Sequence, residues 1–156
     1  MTVFNLLDAL GMEMTGLFKN YVFSTLEMQG KKLNVYLQSL PPPSGEKPDP
    51  RFPFIVVRYT LAEDKDYENS SANVSFIIGV VDSTDDYQGY KDVINIQERI
   101  RQHFLLHRTV DRSFILQYPV RRIAVDDFNS ETYPMFYGQV DTVWTIPTIT
   151  SEEAYI

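Results

Sequence analysis

His103 and His107 stand four residues apart in a stretch with helical spacing, so both imidazoles can face one way and grip a single metal ion. Asp111, a further four along, supplies a third ligand only if the helix continues that far. No glutamate follows the first histidine, and the intervening Phe104-Leu105-Leu106 reads as core. The pair is therefore read as surface or packing histidines, and no metal site is assigned. Asp82, Asp85 and Asp86, ahead of Gly89, suggest a calcium loop, but the alternating oxygen ligands and the closing glutamate are missing. Capping of the helix that follows accounts for them, with Asp85 or Asp86 at its N-terminus.

Other chemistry is equally sparse. The carboxylate pairs Asp126-Asp127 and Glu152-Glu153 fall in polar segments with nothing around them to raise a catalytic pKa, and read as solvated charge. There is no G-x-S-x-G elbow, no glycine-rich phosphate cradle and no dinucleotide fingerprint. With no cysteine in 156 residues, a thiolate nucleophile, a disulfide framework and sulfur-bound zinc are all excluded. The basic pairs Lys31-Lys32 and Arg121-Arg122 are isolated in an acidic chain. No catalytic or cofactor-binding residue is assigned, no cofactor is expected, and the chain is read as a non-enzyme.

The elements that would carry these residues follow from hydrophobic spacing. Residues 1 to 28 have a helical repeat through Val3, Leu6, Leu7, Leu10, Met14, Leu17 and Phe18, with Thr2 as a cap and Gly11 and Gly16 as weak points where one helix bends or becomes two. Leu33, Val35 and Leu37 alternate as in a half-buried strand. The Pro41–Pro50 run is a stiff connector. Phe54 to Leu61 and Val74 to Val81 are strands, separated by a polar loop from Glu63 to Ala72. A helix opens near Tyr90 and ends near His107 or Arg108, with Val93, Ile96, Ile100 and Phe104 as its buried stripe and Tyr90, Ile94 and Leu105 beside them. Ser113 to Tyr118 is a strand stopped or bent by Pro119, and Pro134 to Ile146 is the last. The expectation is one α+β domain over residues 1–147, a mostly antiparallel sheet of four or five strands packed against two helices, with 148–156 a polar tail.

The balance of 14 basic against 21 acidic residues, a net charge of −7, disfavours a grip on nucleic acid. No apolar run is long enough to span a bilayer, and the N-terminus lacks a secretory pattern, so no membrane partner is expected and synthesis in the cytoplasm is. Ten tyrosines, ten phenylalanines and one tryptophan exceed what one modest core requires; core packing is favoured for any one of them, and the set is compatible with subunit contacts. Tyr133, Phe136 and Tyr137 are the aromatic candidates, and Glu63, Asp64, Asp66, Tyr67, Glu68, Asp126 and Asp127 the loop candidates, for such an interface.

Several pieces recur in a fixed order: Pro53 and its aliphatic strand, Ile77-Ile78-Gly79, Gly89-Tyr90-Lys91-Asp92-Val93, and Tyr133-Pro-Met-Phe-Tyr-Gly138 leading to Trp144 and Pro147. In that order the chain resembles the small tail-terminator or tail-completion proteins of siphophages and prophages, over roughly two-thirds of its length. The resemblance implies a structural protein of the virion that forms a homo-oligomeric ring, commonly a hexamer. The ring would cap the tail tube, contact the major tail tube protein and the head–tail connector, and let DNA pass its lumen without specific binding. Two alternatives are another neck component, such as a head-completion protein, and a small cytoplasmic metal-binding enzyme built on the two histidines.

Overall fold

The computed structural model describes residues 2–65, 70–124 and 131–147. Helix α1 spans Val3–Leu17 and starts at a reciprocal cap, in which Asn5 N–H donates to Thr2 Oγ1 at 3.3 Å and Thr2 N–H returns to Asn5 Oδ1 at 2.9 Å. Its buried stripe is Leu6, Leu7, Leu10 and Met14. The helical repeat expected as far as Met28 stops at Leu17; after it the chain runs irregularly to a single 3₁₀ turn at Leu26–Met28.

Strands β1 (Asn34–Leu37), β2 (Phe54–Glu63), β3 (Ser70–Val81), β4 (Thr109–Val110), β5 (Phe114–Ala124) and β6 (Met135–Ile146) form one six-stranded sheet in the order β1-β2-β3-β6-β5-β4. This exceeds the four or five strands expected. Every pairing is antiparallel except β1 with β2, which runs parallel with Asn34 opposite Phe54. The proline-rich connector is thus a crossover that takes the chain back to the start of the next strand, a task usually given to a helix. Arg51 pins it: its guanidinium grips Asp49 at 2.7 Å and donates to the Pro41 carbonyl at 3.0 Å. Both ends of the expected Glu63–Ala72 loop are strand instead: Glu63 pairs with Ser71, so residues 63 and 70–72 extend the β2–β3 hairpin. Of the two courses open to the strand at Pro119, it is bent and not stopped: β5 continues through the proline with a register shift between Gln117 and Arg121.

Helix α2 (Gly89–Leu106) lies along β6, with Phe104 edge-on to Trp144 at 5.1 Å between ring centroids. A contact of 2.7 Å between Glu13 and His103 ties α1 to α2 and sets both helices on the same sheet face. The core fills that face with Ile55, Val57, Phe76, Ile78, Val140 and Trp144, all fully buried. On the opposite face Ser75 and Gln139 both donate to Asp141 at 2.7 Å, while Phe52 covers only the end near Phe54 and Tyr137.

Candidate functional site: an aromatic cleft at the start of helix α2

The turn from Asp82 to Gln88 delivers the chain into α2, and Asp82 organises it. Its buried carboxylate accepts from Thr84 N–H at 3.0 Å, Thr84 Oγ1 at 2.6 Å and Gln88 N–H at 3.1 Å. Burial alone would raise the pKa of this carboxyl. The hydrogen bonds from Thr84, Gln88 and Gly89 outweigh it and hold the pKa below the ordinary value. The residue at the cap position is Gln88, which makes no side-chain cap bond, so Asp82 serves the helix start that Asp85 or Asp86 was expected to serve.

Behind the first turn sits Asp92, fully buried. It accepts Tyr21 Oη–H at 3.0 Å, Ser24 N–H at 2.9 Å and Thr25 N–H at 2.7 Å. These bonds hold the irregular segment after α1 against α2. Burial, then the neighbouring Asp92 charge, push the Tyr21 hydroxyl well above its usual pKa.

Gly89 and Gly138 let the helix come down on the sheet. A methyl on Gly89 would lie 2.5 Å from the Phe136 ring, and one on Gly138 would lie 2.4 Å from Val93 Cγ1. Gln97, one turn further along, is buried and donates to the Ile123 and Gln139 carbonyls at 2.9 and 3.0 Å. The helix therefore seats at a defined depth over the junction of β5 and β6.

Between the first turns of α2 and the start of β6 lies a cleft of about 370 Å³. Tyr87 stacks on Tyr133 with ring centroids 4.9 Å apart and meets Phe136 edge-on at 6.3 Å. The Tyr133 hydroxyl donates to the Ser83 carbonyl at 2.6 Å, locking the ring against the turn. Tyr90 and Ile94 line the side facing solvent, 46% and 49% exposed. They were expected to be buried beside the stripe of α2; Val93, Ile96, Ile100 and Phe104 are buried as expected, while these two are not. Burial, then the charges of Asp85, Tyr87, Asp82 and Glu27, raise the pKa of Tyr133.

Of the interface candidates, Tyr133, Phe136 and Tyr137 meet at this cleft, although the Tyr137 ring turns to the other sheet face against Phe52 and Phe54. Glu63 and Asp64 lie at the far end of the sheet, where Asp64 accepts from Ser70. Along β6 that is roughly 27 Å away, at about 3.4 Å per residue. Asp66, Tyr67, Glu68, Asp126, Asp127 and the tail from residue 148 lie outside the described residues. Tyr87, Tyr90 and Asp92 were not among the candidates. Their signal was the Tyr-Gln-Gly-Tyr run in an acidic turn, which puts two rings where a helix begins.

His103 and His107 do come within 5.1 Å, ring to ring, but Nε2 of His103 is engaged by Glu13. The helix ends at Leu106, and Asp111 sits in a turn with φ +50°, so it is not carried on the same helical face. Among the described residues no group of three or more His, Asp or Glu side chains is arranged to hold a metal. In comparisons with known proteins, no family model and no curated protein sequence matches this chain.

Proposed function

We propose that this chain is a structural assembly protein of the tail-terminator class. Identical protomers close a ring, a hexamer on the resemblance, that caps a phage tail tube and joins it to the head connector. No chemical step is involved, and DNA passes the lumen without a specific grip; the net charge of −7 supports a non-adhesive wall. The observation that carries the reading is a convergence. Gly89–Val93 and Tyr133–Gly138, separate pieces of the resemblance, meet at one partly exposed aromatic cleft, with Gly89 under Phe136 and Gly138 under Val93. Partly exposed aromatics gathered at one place are the composition in which protein contacts are enriched.

The experiment is to mix the purified full chain with tubes assembled from the major tail protein of the same genome, and to image tube ends by electron microscopy. Rings seated on one end, with growth arrested, are expected. Tubes that stay bare and keep lengthening end this reading.

A further inference from the structure

We propose that the aromatic cleft receives a cationic side chain, an arginine or a lysine, presented by a basic segment of a different protein. The walls suit a cation. Tyr87 and Tyr133 are stacked, Phe136 meets Tyr87 edge-on, and Tyr90 stands at the mouth, so aromatic rings line a hollow large enough for one long side chain. The border is acidic as well. Asp85 and Asp86 are exposed in the turn beside Tyr87, and Glu27 is fixed there by Ser83 N–H at 3.1 Å. The pKa of Tyr133 is raised first by burial, and then by the charges of Asp85, Tyr87, Asp82 and Glu27.

An anionic ligand is disfavoured at this place. The positive end of α2 is already served by the Asp82 carboxylate, through the Gln88 N–H at 3.1 Å. Lys91 is exposed nearby, but the cleft is lined by Tyr90, Val93, Ile94 and Gln97. Lys91 shares its helical face with Asn95 and Glu98, which line a separate hollow beside Tyr21. Tyr87 is held at φ +53°, a conformation that tyrosine rarely adopts. Such a conformation is kept where its surroundings fix it, and here it places the ring on Tyr133.

The charge of the chain favours a foreign partner over a second copy. A net charge of −7 attracts a basic partner to this acidic cleft, and leaves contacts between copies to other surfaces. Many of its own arginines are also engaged: Arg51 with Asp49, Arg101 and Arg122 with Glu98, Arg99 over Tyr21 and Arg108 over Tyr118. The proposal goes beyond the assembly reading and stands on the cleft alone.

The test is an NMR titration of the ¹⁵N-labelled full chain with the blocked peptide Ac-Gly-Ala-Arg-Leu-Gly-NH₂. Its lysine, citrulline and glutamate versions serve as comparisons. The arginine peptide is expected to shift amides of Tyr87–Gln97 and Tyr133–Gly138, with lysine close behind. The neutral citrulline and the glutamate peptides should bind at least about fivefold more weakly, the size of a lost cation–π contact. Asp85→Asn/Asp86→Asn, at exposed positions, should weaken the arginine peptide about threefold and flatten its salt dependence. Tyr90→Leu, at a half-exposed ring, should weaken it similarly without unfolding the chain.

Equal binding of citrulline or glutamate overturns the proposal, as does the absence of cleft shifts at about 10 mM peptide, far into the weak range. Concentration-dependent shifts of the same amides without peptide would mean that a second copy fills the cleft, and also overturn it. A chain that binds the arginine peptide but ignores tail tubes keeps this proposal and ends the assembly reading.

Discussion

The carboxylate of Asp92 accepts the backbone N–H of Thr25 at 2.7 Å, across 67 positions of sequence. With the bonds from Tyr21 and Ser24, this fully buried group supplies what the irregular segment after α1 lacks, a hydrogen-bonding partner on the next layer. Asp92→Ala leaves the buried Thr25 N–H and the partly buried Tyr21 and Ser24 donors without this partner, and should cost about 3 kcal/mol. Asp92→Asn keeps one carbonyl oxygen but sets an amide donor against a donor, and should cost about 2 kcal/mol. Urea unfolding of the three proteins, read at constant m-value, measures both.

Gly138→Ala should cost about 2 kcal/mol, the usual range for overpacking, because the new methyl would lie 2.4 Å from Val93 Cγ1. Val93→Ala removes that obstacle. In the double variant the losses should therefore sum to less than the two single changes. A strictly additive double-mutant cycle would show that the helix simply lifts off the sheet.

The pH dependence follows from Asp82, whose carboxyl titrates below its ordinary value of 3.8. A depressed folded pKa means that the unfolded chain binds the proton more readily, so stability rises with pH across that interval. The contribution is complete above about pH 4 to 5 and fades as pH falls through the folded value. Asp82→Asn should lower stability at pH 7 and flatten the acid limb. Denaturation midpoints at a series of pH values from neutral into the acid range would show an unchanged slope if the carboxylate were not the cause.

Alkali acts in the opposite sense through Tyr21, whose hydroxyl is buried beside the Asp92 charge and titrates above its ordinary value of 10.0. Its contribution is complete below that value and is lost as pH rises through the folded one. Tyr21→Phe should therefore unfold less steeply above about pH 10 than the parent. Thermal melts across that range are the measurement, and parallel curves would remove Tyr21 from the account.

His103→Ala should cost about 1 kcal/mol by losing the contact with Glu13, without altering metal content. Elemental analysis of the parent and of the His103→Ala/His107→Ala double variant checks this. A stoichiometric metal present in the first and absent from the second would return the pair to a ligand role.

The long periodic segments were legible in the sequence because their apolar spacing is a local property. Val93, Ile96, Ile100 and Phe104 are buried on the face their period defines, and Val140 and Trp144 alternate as β6 requires. Tyr90 and Ile94 were misjudged because apolarity marks a stripe wider than the sheet beneath it can cover. The parallel pairing of β1 was hidden, since strand direction is set by the path of a connector and not by the pattern within a strand. β4 is only two residues long, too short to show a period. Asp92 was given no role of its own, because its partners lie far away in sequence, where no spacing rule reaches.

β5 meets β4 only at Phe114 and Ile115, so among the described residues its outer side from Gln117 to Ala124 has no strand beside it. That margin would template the addition of foreign strands. Pro119 offers no N–H there, and Arg121 and Arg122 put two like charges on consecutive positions, one toward each face. Proline and like charges on such a margin are the features that discourage edge-to-edge pairing and growth into fibres.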